Sequence, residues 1–347
     1  MINQLKILII LGISALIPFM ESQAAIDFYS CEECIYDPLE RFCCPCLNND
    51  FVLSADFLLW KLCQNDRDYA ISSNNTISAS GTQNLRYQFL DPSWEPGVRG
   101  CIKKINFWCG WDLSGSYTYI HPTESSEISS TIPGSITSTL FSSHFNLDNL
   151  LSAKANMKLE YSSFDVLFSR DFTLSDCHTL TPFIGMEGLF TEERLSSKIR
   201  NEEETASLNW KSDYWGAGLK IGTTYFYNLS QCFSLFAKGS LSLIYGEVCS
   251  ENRQSIVSEE INSELKYKSD RMGNCMPGWH LASGLSYEQI LCGCSVHWRL
   301  GYEFVQWANF PNLRRYTTQG VSNLGISTSS HTRFGFQGLL AGVKVKF

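Results

Sequence analysis

The chain has 347 residues, a formal net charge of −8, 18% charged and 13% aromatic residues, 24 glycines and 14 cysteines. An acidic balance excludes the basic stripe that nucleic-acid binding depends on, so no nucleic-acid partner is expected. Near-neutral hydropathy suits either a large soluble β protein or a membrane barrel, and the periodicity has to separate the two.

Residues 1–25 read as a secretory signal. Lys6 supplies a positive n-region, Ile7 to Met20 an apolar stretch with Pro18 near its end, and Ser22-Gln23-Ala24 the small residues of a cleavage site. The apolar run is about fourteen residues, short of the roughly 20 that a spanning helix needs, so export is expected rather than a helical anchor. Residues 26–50 form a cysteine-rich segment, Cys31-x2-Cys34-x8-Cys43-Cys44-Pro45-Cys46. Its outer cysteines have the paired spacing of a zinc knuckle. An exported chain meets an oxidising compartment, which favours disulfides over metal; no metal and no cofactor are expected.

Residues 51–347 are dominated by period-two alternation. Phe107, Cys109, Trp111, Leu113, Gly115, Tyr117 and Tyr119 share one face against Asp112, Ser114, Ser116 and Thr118 on the other. Leu151, Ala153, Ala155, Met157, Leu159 and Tyr161 alternate with Lys154, Lys158 and Glu160 in the same way. The clearest strand is Trp215, Ala217, Leu219, Ile221, Thr223 and Tyr225, aromatic at both ends. Ten tilted residues rise about 25 Å, the height of the apolar band on a transmembrane barrel, whereas sandwich strands usually run about five or six residues.

The pattern predicts an all-β, antiparallel up-and-down transmembrane barrel. Its ten strands fall at 51–63, 94–105, 107–120, 150–172, 179–192, 209–227, 232–248, 278–290, 294–307 and 332–347. An extra hairpin at 68–90 would make twelve. A shift of apolar parity near Ser162-Ser163 suggests a β-bulge. Long connections at 64–93, 121–149, 193–208, 249–277 and 308–331 alternate with short turns near 106, 173–178, 228–231 and 291–293. Long extracellular loops and short periplasmic turns place both termini in the periplasm.

On that topology most cysteines gather at the periplasmic side: the N-terminal five, Cys101 and Cys109 around the first turn, Cys177 in the second, Cys232 after the third, and Cys292 and Cys294 at the fourth. Cys249 and Cys275 bound the fourth long loop and are expected to pair, closing about 25 residues for roughly 3 kcal/mol. The lumen is expected to carry Asp112, Lys154, Lys158, Glu160, Lys220, Lys238, His280, Glu288, His297, Arg299, Glu303 and Lys344. A polar lining suits a narrow pore for small solutes or ions, while paired charges equally suit a closed structural or adhesive barrel. A lumen-facing Lys220 should tolerate alanine. The histidines, His121, His144, His178, His280, His297 and His331, have no context that marks a catalytic unit, so no enzymatic activity is expected.

The last strand alternates Leu339, Ala341, Val343, Val345 and Phe347 outward against Lys344 and Lys346 inward. Its terminal Phe347 resembles the signal by which barrel-assembly machinery recognises substrates. FVLSADFLLWK at 51–61, WEPGVRG at 94–100, TLTPFIGMEGLF at 179–190 and FGFQGLLAGVKVKF at 334–347 resemble the Legionella-type major outer membrane protein family, found widely in environmental relatives of Chlamydia. The resemblance implies a multi-pass pore-forming barrel in contact with outer-membrane lipid. The cysteine abundance resembles chlamydial envelopes, where a disulfide-linked network includes the major outer-membrane protein, and implies disulfide-linked envelope partners.

Overall fold

The computed structural model describes residues 51–64, 67–77, 84–142, 145, 147–258, 262–269, 271–291, 294–311, 315–317, 326–328 and 331–347, with side chains described up to 310 and again from 332. The expected signal peptide and the cysteine-rich segment at 26–50 lie outside these residues.

Ten strands build the wall: β1 (Phe51–Gln64), β2 (Trp94–Trp108), β3 (Trp111–Ile120), β4 (Ser152–Ser169), β5 (His178–Arg200), β6 (Thr205–Asn228), β7 (Phe233–Val257), β8 (Met272–Leu291), β9 (Cys294–Pro311) and β10 (His331–Lys346). Each pairs antiparallel with the next. β10 closes on β1, from Lys346 opposite Val52 to Phe334 opposite Gln64. The first and last strands therefore begin and end at one rim, the terminal rim; the longer connections leave from the other, the loop rim. The hairpin expected at 68–90 is present as Asp68–Ser73 with Leu85–Phe89, but it joins Ile136–Ser138 in a separate sheet and the barrel stays at ten strands.

The first tight turn lies at Cys109-Gly110, not near 106. Gly110 takes φ 81° there, the left-handed region that glycine enters without penalty. Phe107 accordingly belongs to β2, with an irregularity between Lys104 and Trp108, and the apolar face of β3 starts at Trp111.

Several strands are longer than the sequence pattern suggested, and the reason is a reversal of polarity along a single strand. In the half of β6 near the terminal rim, Trp215, Leu219 and Ile221 point outward and are more than half exposed, while Lys220 points in at 3%. Towards the loop rim the same alternation continues from Tyr214 back to Thr205, but now Ala206, Leu208, Trp210 and Tyr214 are the buried inward residues and Asn209 and Lys211 face out. Lipid solvates the outer wall in the first zone and water in the second, so the apolar residues change sides while the pleat does not. The connections expected at 193–208 and 249–277 are consequently strand. β5 and β6 run to a turn at Asn201, whose side-chain Oδ1 accepts from the Glu203 and Glu204 amides at 3.0 and 2.6 Å, and β7 continues to Val257, where Asn262–Lys268 folds back on it.

The same reversal corrects the reading of β4. Its register against β3 and β5 is unbroken through Ser162-Ser163, so there is no bulge. Ala153, Ala155, Met157, Leu159 and Tyr161 are buried inside the barrel, and Phe164, Val166 and Phe168 face lipid. Aromatics edge the lipid-facing band, with Phe190, Trp215 and Tyr245 towards the loop rim and Phe233, Tyr287 and Phe172 towards the terminal rim.

Two zones with opposite rules predict opposite tolerances. Leu219→Arg, at the level of the band, should cost about 2–4 kcal/mol in equilibrium unfolding from lipid vesicles. Lys158→Glu, outward beyond the band and opposite Arg194, should change stability by no more than about 0.5 kcal/mol. A tolerated arginine at 219 would move the band away from that level.

Candidate functional site

The lumen at band level is the place where charge has to be explained, because a charged group there must point inward and find a partner. Adjacent strands fix the first cluster. Asp165 on β4 lies opposite Glu187 on β5, an arrangement of like charges that destabilises a sheet pair unless something sits between them. Lys220 of β6 does so, its Nζ 3.0 Å from both carboxylates. Ser242 donates to Glu187 and Ser116 Oγ to Asp165 at 3.1 Å.

The second cluster spans the closing seam of the barrel. Arg299, Gly342, Asp56 and Arg99 occupy one row across β9, β10, β1 and β2. Arg299 Nη2 reaches Asp56 at 2.7 Å past Gly342, where a Cβ would overlap the Asp56 carboxylate. Arg99 Nη1 bonds both oxygens of Glu303, at 2.9 and 3.2 Å, and His280 pairs with the same carboxylate. Glu303 is only 1% exposed. Nearer the terminal rim Lys103 Nζ meets Asp112 at 2.6 Å.

Directly above these ions the lining turns aromatic. Arg99 lies over the Trp60 ring at 5.6 Å, Trp60 stacks on Phe336 at 5.2 Å, Tyr161 meets Phe336 edge-on at 4.9 Å, and Phe334 stacks on Phe310 at 4.5 Å. The cavity left between the described side chains at this level is about 30 Å³, room for roughly one or two waters. Connecting segments cover the mouth. Tyr69, Ile136, Leu140 and Phe141 join the same buried core, Arg67 Nη1 bonds both Glu124 oxygens at 2.7 Å, and Ser142 donates through its amide and hydroxyl to Gln254 Oε1. Burial pushes the Glu124 carboxyl above its ordinary range, and the Arg67 charge opposes that rise.

Of the expected lumen residues, the structure brings Lys220, Lys238, Arg299 and Glu303 together with His280 in or beside the ion layer and places Asp112 and His297 nearer the terminal rim. Lys154, Lys158 and Glu160 face outward and are exposed; they lie beyond the band, where the outer wall is polar, and Lys154 pairs with Glu127 at 3.0 Å. Asp56, Arg99, Asp165 and Glu187 were missed. Each is a lone charge in an apolar stretch, as in SADFLL or GMEGLF, which is a usable signal in a barrel strand. Lys220, held by two carboxylates, is not the dispensable residue expected of a free lumen lysine.

The thiols of Cys249 and Cys275 are unbridged. Cys275 lies opposite Tyr245, four residues from Cys249 along β7, an offset of about 13 Å, where a bridge needs Cα atoms within about 7 Å. The chain between them folds back as a hairpin, so its ends do not meet. Cys101 lies in the wall at the terminal half, and Cys109 and Cys177 are exposed in turns at that rim. Cys232 is disulfide-bonded. Cys31, Cys34, Cys43, Cys44, Cys46 and Cys292 also lie outside them, and Cys294 begins β9.

The wall is thus closed and ten-stranded, with lipid-facing aromatics at both edges of the band and ion pairs inside. Residues 43–347 match the family model of the Legionella pneumophila major outer membrane protein precursor. The chain belongs to this family. It is a protein of the bacterial outer membrane, in contact with the lipid there. No curated protein matches the chain. Among solved structures it is similar to the outer membrane protease OmpT from Escherichia coli, at 11% identity and a TM-score of 0.40 over 86% of this chain and 97% of that one. A Pseudomonas aeruginosa FadL homologue matches at 9% identity and 0.25, covering 86% and 89%. The P. putida toluene transporter TodX matches at 7% identity and 0.20, covering 86% and 90%.

Removing one partner from a buried ion cluster leaves the others uncompensated, at about 3–5 kcal/mol. Lys220→Met in this family member should therefore cost that much in equilibrium unfolding from vesicles, and Lys154→Met less than about 1 kcal/mol because its pair is exposed. Gly342→Ala should displace the Asp56 carboxylate from Arg299 and lower stability by about 1–3 kcal/mol. Equal stability of Gly342→Ala and the parent would show that Asp56 does not need that space.

Proposed function

We propose that the protein serves as a sealed structural and surface barrel of the outer membrane, with both termini in the periplasm and the loop rim outside. The observation that carries this reading is the stack of three layers across one lumen: paired ions, interlocked aromatics and folded connecting segments. A solute would have to displace all three. The narrow-porin alternative draws on the polar lining at band level and on the family's resemblance to pore-forming proteins, but a conduit would require the Arg99–Glu303 pair and the Trp60–Phe336 stack to part together. No catalytic role is assigned, since the lumen carboxylates and His280 are engaged by basic partners or each other behind the aromatic stack.

Planar-bilayer recording decides between the two. The folded full-length protein should give no stable ohmic conductance, and the double variant Trp60→Ala/Phe336→Ala should admit intermittent current. A steady conductance from the parent protein would replace the sealed barrel with the porin.

The cysteines support a place in a disulfide-linked envelope. Cys109 and Cys177 present exposed thiols at the terminal rim, on the side where the N-terminal cysteine segment joins β1. Non-reducing gels of thiol-blocked envelopes should show high-mass species that collapse with reductant, and serine at Cys31, Cys34, Cys43, Cys44 and Cys46 should thin them while leaving the heat-modifiable barrel band. A blocked parent protein that migrates only as monomer rules the network out.

A further inference from the structure

The ion layer divides the lumen, and the part below it has a different electrostatic character. Between the layer and the terminal rim lies a cavity of about 200 Å³ whose lining includes Arg299, Lys344, His297, Ser286 and Thr179, with Glu288 its one carboxylate. We propose that this vestibule binds a small free oxyanion, a phosphate- or carboxylate-type group, entering from the terminal rim.

Three observations carry the assignment. The basic groups are fixed by register on neighbouring strands. Lys344 of β10 lies opposite His297 of β9, and Arg299 lies opposite Gly342 two residues higher, so Arg299 and Lys344 are diagonal neighbours on the inner face, roughly 7–8 Å apart. Their alternates Trp298 and Leu300 are exposed to lipid, which confirms that the odd-numbered residues of β9 point in.

The nearby carboxylates also leave donors unused. Asp56 takes Arg299 Nη2 at 2.7 Å and stands 4.0 Å from Arg99 Nη1, and Arg299 Nε is buried without a hydrogen-bond partner. Glu288 sits 3.5 Å from His297 Nε2 and accepts from Ser295 Oγ. Lys344 has no ion pair among the described residues, in contrast to Lys220 and Lys103, each of which has a carboxylate within 3.0 Å. A half-buried ammonium without an ion pair and an unsatisfied guanidinium N–H favour an anion that supplies the missing acceptors.

Shape narrows the class. The cavity is smaller than the roughly 300–1,000 Å³ occupied by drug-sized ligands, so a nucleotide or an acyl chain does not fit, whereas a tetrahedral or planar oxyanion with attendant waters does. A guanidinium fork suits such groups by bidentate geometry in a way that a halide does not exploit.

Isothermal titration of inorganic phosphate into the full-length protein, folded in maltoside micelles and chloride buffer, tests the site. Saturable binding in the millimolar range or tighter is expected, and Lys344→Met should weaken it at least about tenfold. That variant is the deciding one because Lys344 holds no ion pair whose loss would unfold the barrel; heat modifiability on mild gels verifies its fold. Lys211→Met, on the outer wall beyond the band, should bind as the parent does. Absence of saturable phosphate uptake by the parent, or unchanged affinity in a folded Lys344→Met, overturns the assignment. So does uptake confined to phosphate carried on a lipid headgroup. The isotherm is read without reference to conductance, so an open pore in bilayers would refute the sealed barrel and leave this site standing.

Discussion

Closure of β10 on β1 is the constraint from which the rest follows. In hydrocarbon a strand cannot leave its amides and carbonyls unpaired, and the last strand finds its partners only by returning to the first. The continuous pairing from Val52–Lys346 to Gln64–Phe334 sets the circumference. Closure in turn decides which inward side chains become neighbours. Arg99 on β2 reaches Glu303 on β9, three strands away, only because β10 and β1 are joined between them.

The interior then solves two separate problems with one set of inward positions. At band level the inward face cannot be apolar throughout without leaving the wall indistinguishable on its two sides, and ion pairs give it a defined inside. Buried pairs add little net stability over apolar packing, yet losing one partner is costly. They act less as glue than as a registration device, each charge penalising any arrangement that separates it from its counterpart. Beyond the band, water takes over outside the wall and the interior reverts to the packing of a soluble protein, with Tyr161, Phe334 and Phe336 at its centre. Trp60 belongs to both regimes, meeting Arg99 with one face of the problem and Phe336 with the other.

Much of this was legible in the residues alone. Alternation over ten or more positions, aromatic edges and the spacing of turns were enough for a ten-stranded barrel, because the lipid-facing side of each strand is a local property of the chain. The outer halves of the strands were not legible for the same reason. Ala153 to Tyr161 looks lipid-facing when judged by alternation, and only the unbroken register with β5 shows that it points inward. Lys154, Lys158 and Glu160 were misplaced with it. The lumen pairs were half visible: Lys220, Arg299 and Glu303 follow from parity, whereas the pairing of Arg99 with Glu303 joins residues 204 apart and depends on the closed circumference. The Cys249–Cys275 bridge failed because loop ends were inferred where the chain continues as strand.

The zone of the wall that stands clear of the lipid has a consequence for the solubilised molecule. From Thr205 to Tyr214 on β6, and along the matching stretch of β5, the outer surface is polar over a rise of roughly 25 Å. A detergent collar would clasp only the girdle nearer the termini and leave that rise bare, as a water-wetted column projecting from the micelle. Particles of this kind are lopsided, with a protein mass well off the micelle centre. The bare column would provide both an asymmetric feature for aligning images and a rigid face for an antibody fragment.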